Sequence, residues 1–235
     1  MRRETTMGMQ KLAAASLLSL GLLITATAPA SAASAGSAAR SAARSAARSA
    51  AAACSGADDT VRTPQWYRQQ YPDWTDSRIK AAVALNEGFA SGSIRCLVNA
   101  ERAKAGLAPV EDTLRLFNAA DAHVKAAIQQ KWWVDGANWH VNPSTGSTVG
   151  SRIRAAGYCP SGTWQALENV YAGWGTTYAT PRAAVRWWMS SASHRQNILN
   201  PQMKQTGISV RNGSARPGIT SNVTLVTTEV FGFCR

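Results

Sequence analysis

Apolar residues recur along this chain in three rhythms, and each predicts a different kind of element. The first is a largely apolar run from Leu12 to Ile24 behind Arg2, Arg3 and Lys11, too short to span a bilayer. Small-residue cleavage words follow at Ala28-Pro29-Ala30 and Ala30-Ser31-Ala32, so residues 1–32 read as a secretory signal peptide. The second rhythm has helical spacing. It predicts helices over 76–87, stopped by Gly88, and over 93–105, where Ser93 caps and Ile94, Leu97 and Val98 form the stripe. It continues over 111–131, with Leu114, Phe117, Val124 and Ile128 in phase, over 149–156, and over 181–189 with Val185 and Trp188 inward. Thr180-Pro181 starts the last of these. The third rhythm is β-like: residues 166–172 read as a strand or turn, and β-branched residues at 207–211 and 223–233 predict two closing strands. Helices at the front and strands at the back predict an α+β sandwich.

Between these elements the polar stretches carry their own information. Ser37-Ala38-Ala39-Arg40 returns at 41 and 45, and such a segment buries too little apolar surface to offset the cost of ordering it. Residues 33–57 are therefore a linker. Residues 58–92 form an N-terminal extension whose Trp66, Tyr67, Tyr71 and Trp74 are expected to pack on the domain of residues 93–235. The Gly- and Asn-rich stretch 135–150 is a loop and carries His140, while His194 is expected in an extended loop ending at Asn200-Pro201.

Charge and cysteine usage narrow the class. From Cys54 onward 19 Lys and Arg stand against 12 Asp and Glu, scattered rather than clustered. That pattern argues against nucleic-acid binding and allows a weak attraction to an anionic wall or membrane surface. No segment of the mature chain is apolar enough to cross a membrane. Four cysteines in an exported chain predict two disulfides rather than a zinc-thiolate site, with three pairings open. The words at Asn212 and Asn222 would count as glycosylation sites only in a eukaryotic pathway.

The chemistry-bearing words are Glu168-Asn169-Val170 and His194-Arg195-Gln196-Asn197-Ile198-Leu199, the latter just past Trp187-Trp188. The chain has only three histidines. Imidazole titrates near neutral pH and ligates metals, and a carboxylate can orient it or act as a base. His123 falls inside a predicted helix and reads as structural or surface.

Taken together, these words resemble the CAP superfamily of cysteine-rich secretory, antigen five and pathogenesis-related proteins, in its bacterial secreted branch. The resemblance runs in order from Cys96-Leu97-Val98-Asn99-Ala100-Glu101-Arg102 and Gly106-Leu107-Ala108-Pro109-Val110. It continues through Ser151 to Tyr158, the Glu168 and His194 words, and the late strands at Thr206 to Val210 and Thr227 to Gly232. It implies an α-β-α sandwich with a central antiparallel sheet between helical layers, and secretion.

By motif, His140 matches the family's first cleft histidine and Glu168 its first acid. The second acid falls near Ser191 and the late-strand histidine near Val226, so the implied cleft is a reduced one. It comprises His140, Glu168 and His194, with Asn169 and Asn197 as supports. Two imidazoles and a carboxylate form an open set for Zn²⁺, their convergence being implied by the resemblance. The expected function is a binding module for a divalent metal and an apolar, lipid or sterol-like ligand, or for a cell-surface protein. Two alternatives stand beside it: a metal-dependent, protease-like hydrolase with Glu168 or a histidine as base, and a structural cell-surface protein.

Overall fold

The computed structural model describes residues 54–235 together with Ser41, Ala42 and Ser45. The predicted signal peptide and most of the 33–57 linker lie outside the described residues.

A short helix α1 (Pro64–Gln70) leads into α2 (Asp76–Lys104), a single helix of 29 residues. The sequence predicts a break at Gly88, and there is none. Glycine inside a helix costs roughly 1 kcal/mol relative to alanine. The buried positions Ile79, Val83, Glu87, Ala90, Ile94, Leu97 and Val98 nevertheless keep one helical phase on both sides of Gly88, so packing outweighs that cost. Ser93 is not a cap but a mid-helix residue whose hydroxyl donates to the Phe89 and Ser55 carbonyls. Thr75 caps the true start, and Gly106, at φ +74°, follows the end.

Strand β1 (Glu111–Asp112) takes the residues expected to open the next helix, and α3 (Leu114–Gln130) begins after the Thr113 cap. Its buried stripe is Leu116, Ala119, Ala120, His123, Val124 and Ala127, one register away from the expected one, and Leu114 is exposed. Helix α4 (Val149–Ala155) starts on a reciprocal Thr148–Ser151 capping box. Then come β2 (Trp164–Trp174), the single turn α5 (Gly175–Tyr178), α6 (Pro181–Ser190), α7 (Ala192–Ile198), β3 (Gln205–Arg211) and β4 (Thr224–Cys234). The predicted loop around His194 is thus helix α7. Its polar outer positions hide the helical rhythm, while buried Ile198 anchors it.

The sheet order is β1-β3-β4-β2, antiparallel except for the two-residue parallel pairing of β1 with β3. Helices α3 and α4 cover one face; α2, α6 and α7 cover the other. Central β4 alternates accordingly, with Val226 and Val230 toward the first layer and Leu225 and Phe231 toward the second. This is the α+β sandwich, helix–sheet–helix, that the sequence predicts. Helix α3 can lie close to β3 because Gly207 has no side chain: a Cβ there would collide with the Leu116–Phe117 backbone.

The extension is attached at several points. Cys54–Cys96 ties it to α2, Arg62 bridges to Val223, and Tyr67 buries against Ile79 and Val83. Cys159–Cys234 closes the other end, which selects one pairing from the three possible. Among the described residues no helix is long and apolar enough to cross a membrane.

Candidate functional site

Edge strand β2 places the site, because successive residues point to opposite faces. Glu168 pairs across the sheet with Val230 and faces the α3–α4 layer; Asn169 pairs with Glu229 and faces the α7 layer. Each of the two adjacent residues therefore gathers a different set of partners.

On its side, Glu168 meets three basic groups. Arg152 of α4 donates to Oε2 at 2.6 Å, His140 Nδ1 lies 3.0 Å from Oε1, and His123 Nε2 lies 3.9 Å from Oε1. The Glu168 and Arg152 side chains are 2% and 5% exposed. Burial alone would raise the Glu168 pKa. The hydrogen bond from His140, the proximity of His123 and the Arg152 guanidinium outweigh it, and the carboxyl sits below its ordinary value. An ionised carboxylate only accepts, so His140 Nδ1 carries the proton and Nε2 is the open ring nitrogen. His123 is fully buried rather than at the surface. Its Nε2 faces the Trp139 carbonyl at 2.8 Å, and desolvation pushes its pKa down to about 4, so it is a neutral donor.

On the other side, Asn197 of α7 donates to Asn169 Oδ1 and to the Glu168 carbonyl, while Asn169 Nδ2 donates to the His194 carbonyl. These bonds fasten the two sequence words together. His194 packs on Trp187 with ring centroids 4.8 Å apart, and its ring lies 6.4 Å from that of His140. Burial and the neighbouring His140 lower its pKa.

Between the loop 134–140 and the Trp187–His194 wall lies an open groove of about 420 Å³, with Val170 at its base and both imidazoles on its lining. The tryptophans divide in role. Trp188 is fully buried, its indole N–H donating to the Val170 carbonyl, whereas Trp187 is 42% exposed beside the groove. Trp139 stacks on buried Trp133 at 5.5 Å and presents its other surroundings to the groove.

The structure therefore brings His140, Glu168, Asn169, His194 and Asn197 together, but not as three free metal donors. Both Glu168 oxygens are engaged by positively charged or proton-donating groups. Among the described residues no group of three or more His, Cys, Asp or Glu side chains has the geometry to hold a metal ion. Glu168 does not fit a Zn²⁺ ligand here, and two imidazoles remain. Near the two missing family positions, Ser191 precedes α7, half-buried, and Val226 packs among Trp132, Trp133 and Val124.

Sequence reasoning overlooks Arg152 and underrates His123. A signal for both exists in the chain. Arg152 shares the helical face of Val149 and Ile153, and His123 that of Ala120 and Val124, so each polar residue falls on an apolar stripe.

The model of the CAP family, the cysteine-rich secretory protein family, matches residues 96–228. The chain is 33% identical over 125 residues to the uncharacterized protein YkwD of Bacillus subtilis (strain 168), covering 50% of this chain and 41% of that protein. The crystal structure of an extracellular protein containing a SCP domain from Bacillus anthracis has a TM-score of 0.51 and 22% identity. That likeness covers 67% of this chain and 43% of the other. The chain thus spans less than half the length of either relative.

Proposed function

The chain belongs to the cysteine-rich secretory protein (CAP) family, and from that premise we propose that it is an exported binding domain. Its edge groove takes a ligand with an apolar body and one polar group, a lipid or sterol-like molecule. The observation that carries this reading is the groove's composition: exposed Trp187 and half-buried Trp139 beside it, Val170 at the base, and two imidazoles for a polar end. Aromatic walls offer large, rigid contact area, and a volume of about 420 Å³ lies within the range of small-molecule sites. His140 Nε2, held outward by Glu168, can accept a hydrogen bond from a ligand hydroxyl. Export is supported by the leader-like first 32 residues and by two disulfides, which persist in oxidising compartments.

The hydrolase reading is less well supported. Of its candidate bases, Glu168 is buried between Arg152 and His140. All four cysteines are in disulfides, so no thiol nucleophile exists.

Mass spectrometry of gently extracted protein and titration with a fluorescent sterol test the proposal. A co-purifying apolar ligand and saturable binding, weakened about tenfold by Trp187→Ala, are expected, on the order of 1.4 kcal/mol. No co-purifying ligand and no saturable binding of sterol or fatty acid would overturn it.

A further inference from the structure

Arg152 holds more of the site than its charge alone requires. One terminal nitrogen donates to Glu168 Oε2 at 2.6 Å, both reach the His140 carbonyl at 3.3 Å, and Nη1 reaches the Ser147 carbonyl at 3.0 Å. One guanidinium thus grips the carboxylate that orients His140 and the backbone that carries it. Its own position is fixed by short helix α4, which begins on the Thr148–Ser151 capping box. The planar fork is suited to this kind of multi-point bonding, which a lysine ammonium could not reproduce.

We propose that Arg152 is the fixed cation of this site: a positioning residue for His140 that excludes a divalent metal from the His140–Glu168 pair. Glu168 has two oxygens, and Arg152 and the His140 Nδ1 proton occupy one each. A metal ion on either oxygen would have to displace a charge-assisted hydrogen bond and sit beside a buried like charge. His140 Nδ1 is protonated toward Glu168, so the histidine and the carboxylate cannot ligate a common ion without that proton being lost. The His140–Glu168 pair then takes its cation from the chain itself, while His140 Nε2 and His194 still face the groove. This holds whichever ligand the groove takes.

Zinc titration of the metal-stripped full chain by calorimetry, with imidazole ¹⁵N NMR beside it, tests the inference. Any zinc that wild type binds should survive Glu168→Gln, and His140 should keep its Nδ1 proton with and without zinc. Arg152→Met should gain saturable zinc binding at least tenfold tighter than wild type, lost again in Arg152→Met/His140→Ala. Arg152→Lys, which keeps the charge, should bind zinc no more tightly than wild type. Stoichiometric zinc binding by wild type that Glu168→Gln removes would overturn the proposal. So would a folded Arg152→Met that gains none. Should Arg152→Met fail to fold, the wild-type spectra decide: an Nε2–H His140, or loss of its Nδ1 proton on adding one equivalent of zinc, is the overturning result.

Discussion

Asn197 donates one side-chain amide both to Asn169 Oδ1, at 2.9 Å, and to the Glu168 carbonyl, at 3.1 Å. The groove wall carrying His194 is thereby attached to the strand that carries Glu168. Removing that amide leaves a fully buried asparagine without its donor. An unsatisfied buried polar group costs about 1–3 kcal/mol. Asn197→Ala should therefore lose about 2 kcal/mol in urea unfolding and loosen Trp187, seen as altered indole fluorescence. Unchanged stability would show that the link is incidental.

Arg102 performs a similar task from below. Fully buried on α2, it donates to the carbonyls of Ala108, Ile198, Asn200 and Met203. Three of these belong to the end of α7 and the turn after it, so α2 holds the helix that presents His194. A lysine at this position has at most three donors and no fork. Arg102→Lys should cost about 3 kcal/mol and speed hydrogen exchange around residues 198–203. Wild-type exchange rates there would refute the role.

His123 gives the acid side of the stability profile. Its pKa falls from the ordinary 6.5 to about 4 in the fold, chiefly through desolvation. Between those values the unfolded chain takes up a proton that the folded chain does not, so stability falls as pH drops from about 6.5 to about 4. The loss reaches about 3 kcal/mol. Glu168, with its depressed pKa, adds a further loss as pH falls below 4.5. His123→Gln should flatten the first slope relative to wild type in denaturant titrations; parallel profiles would contradict it.

Glu229 acts in the opposite sense. It is fully buried on β4, Thr206 donates to Oε1 at 3.3 Å, and Oε2 has no hydrogen-bond partner. Burial raises its pKa well above 4.5, although Thr206 and Arg102 lower it in part. Its stabilising contribution is complete below 4.5 and declines as pH rises through the folded value. Glu229→Gln should stabilise the protein at pH 7 by about 1–3 kcal/mol, the difference shrinking toward pH 4.5. Equal stabilities at pH 7 would rule this out.

Reduction tests the two staples. Cys159–Cys234 spans a sequence separation of 75 and Cys54–Cys96 one of 42. Loop-closure entropy assigns each about 4 kcal/mol. Cys159→Ser/Cys234→Ser should lower Tm by roughly 10 °C in scanning calorimetry. A shift under two degrees would mean that the sheet edge is held by packing alone.

Much of this molecule could be read from one dimension, and the failures share a cause. Thr180-Pro181, the end of α2 at Gly106 and the late strands are local signals, and each is found where the sequence puts it. The break expected at Gly88 is absent, because local propensity yields to a buried stripe that continues past it. Helix α7 hides behind a polar surface, and what fixes it is Arg102, about 100 residues away in sequence.

By itself, then, the sequence determined the layered α+β class and the family words. Those follow from periodicity and from short motifs, which are local properties of the chain. Only the tertiary structure decided what Glu168 does. Its partner Arg152 is a separate helix's residue, brought to 2.6 Å by the packing of α4 on β2. Pairing across a core depends on which faces meet, and no spacing along the chain encodes that distance.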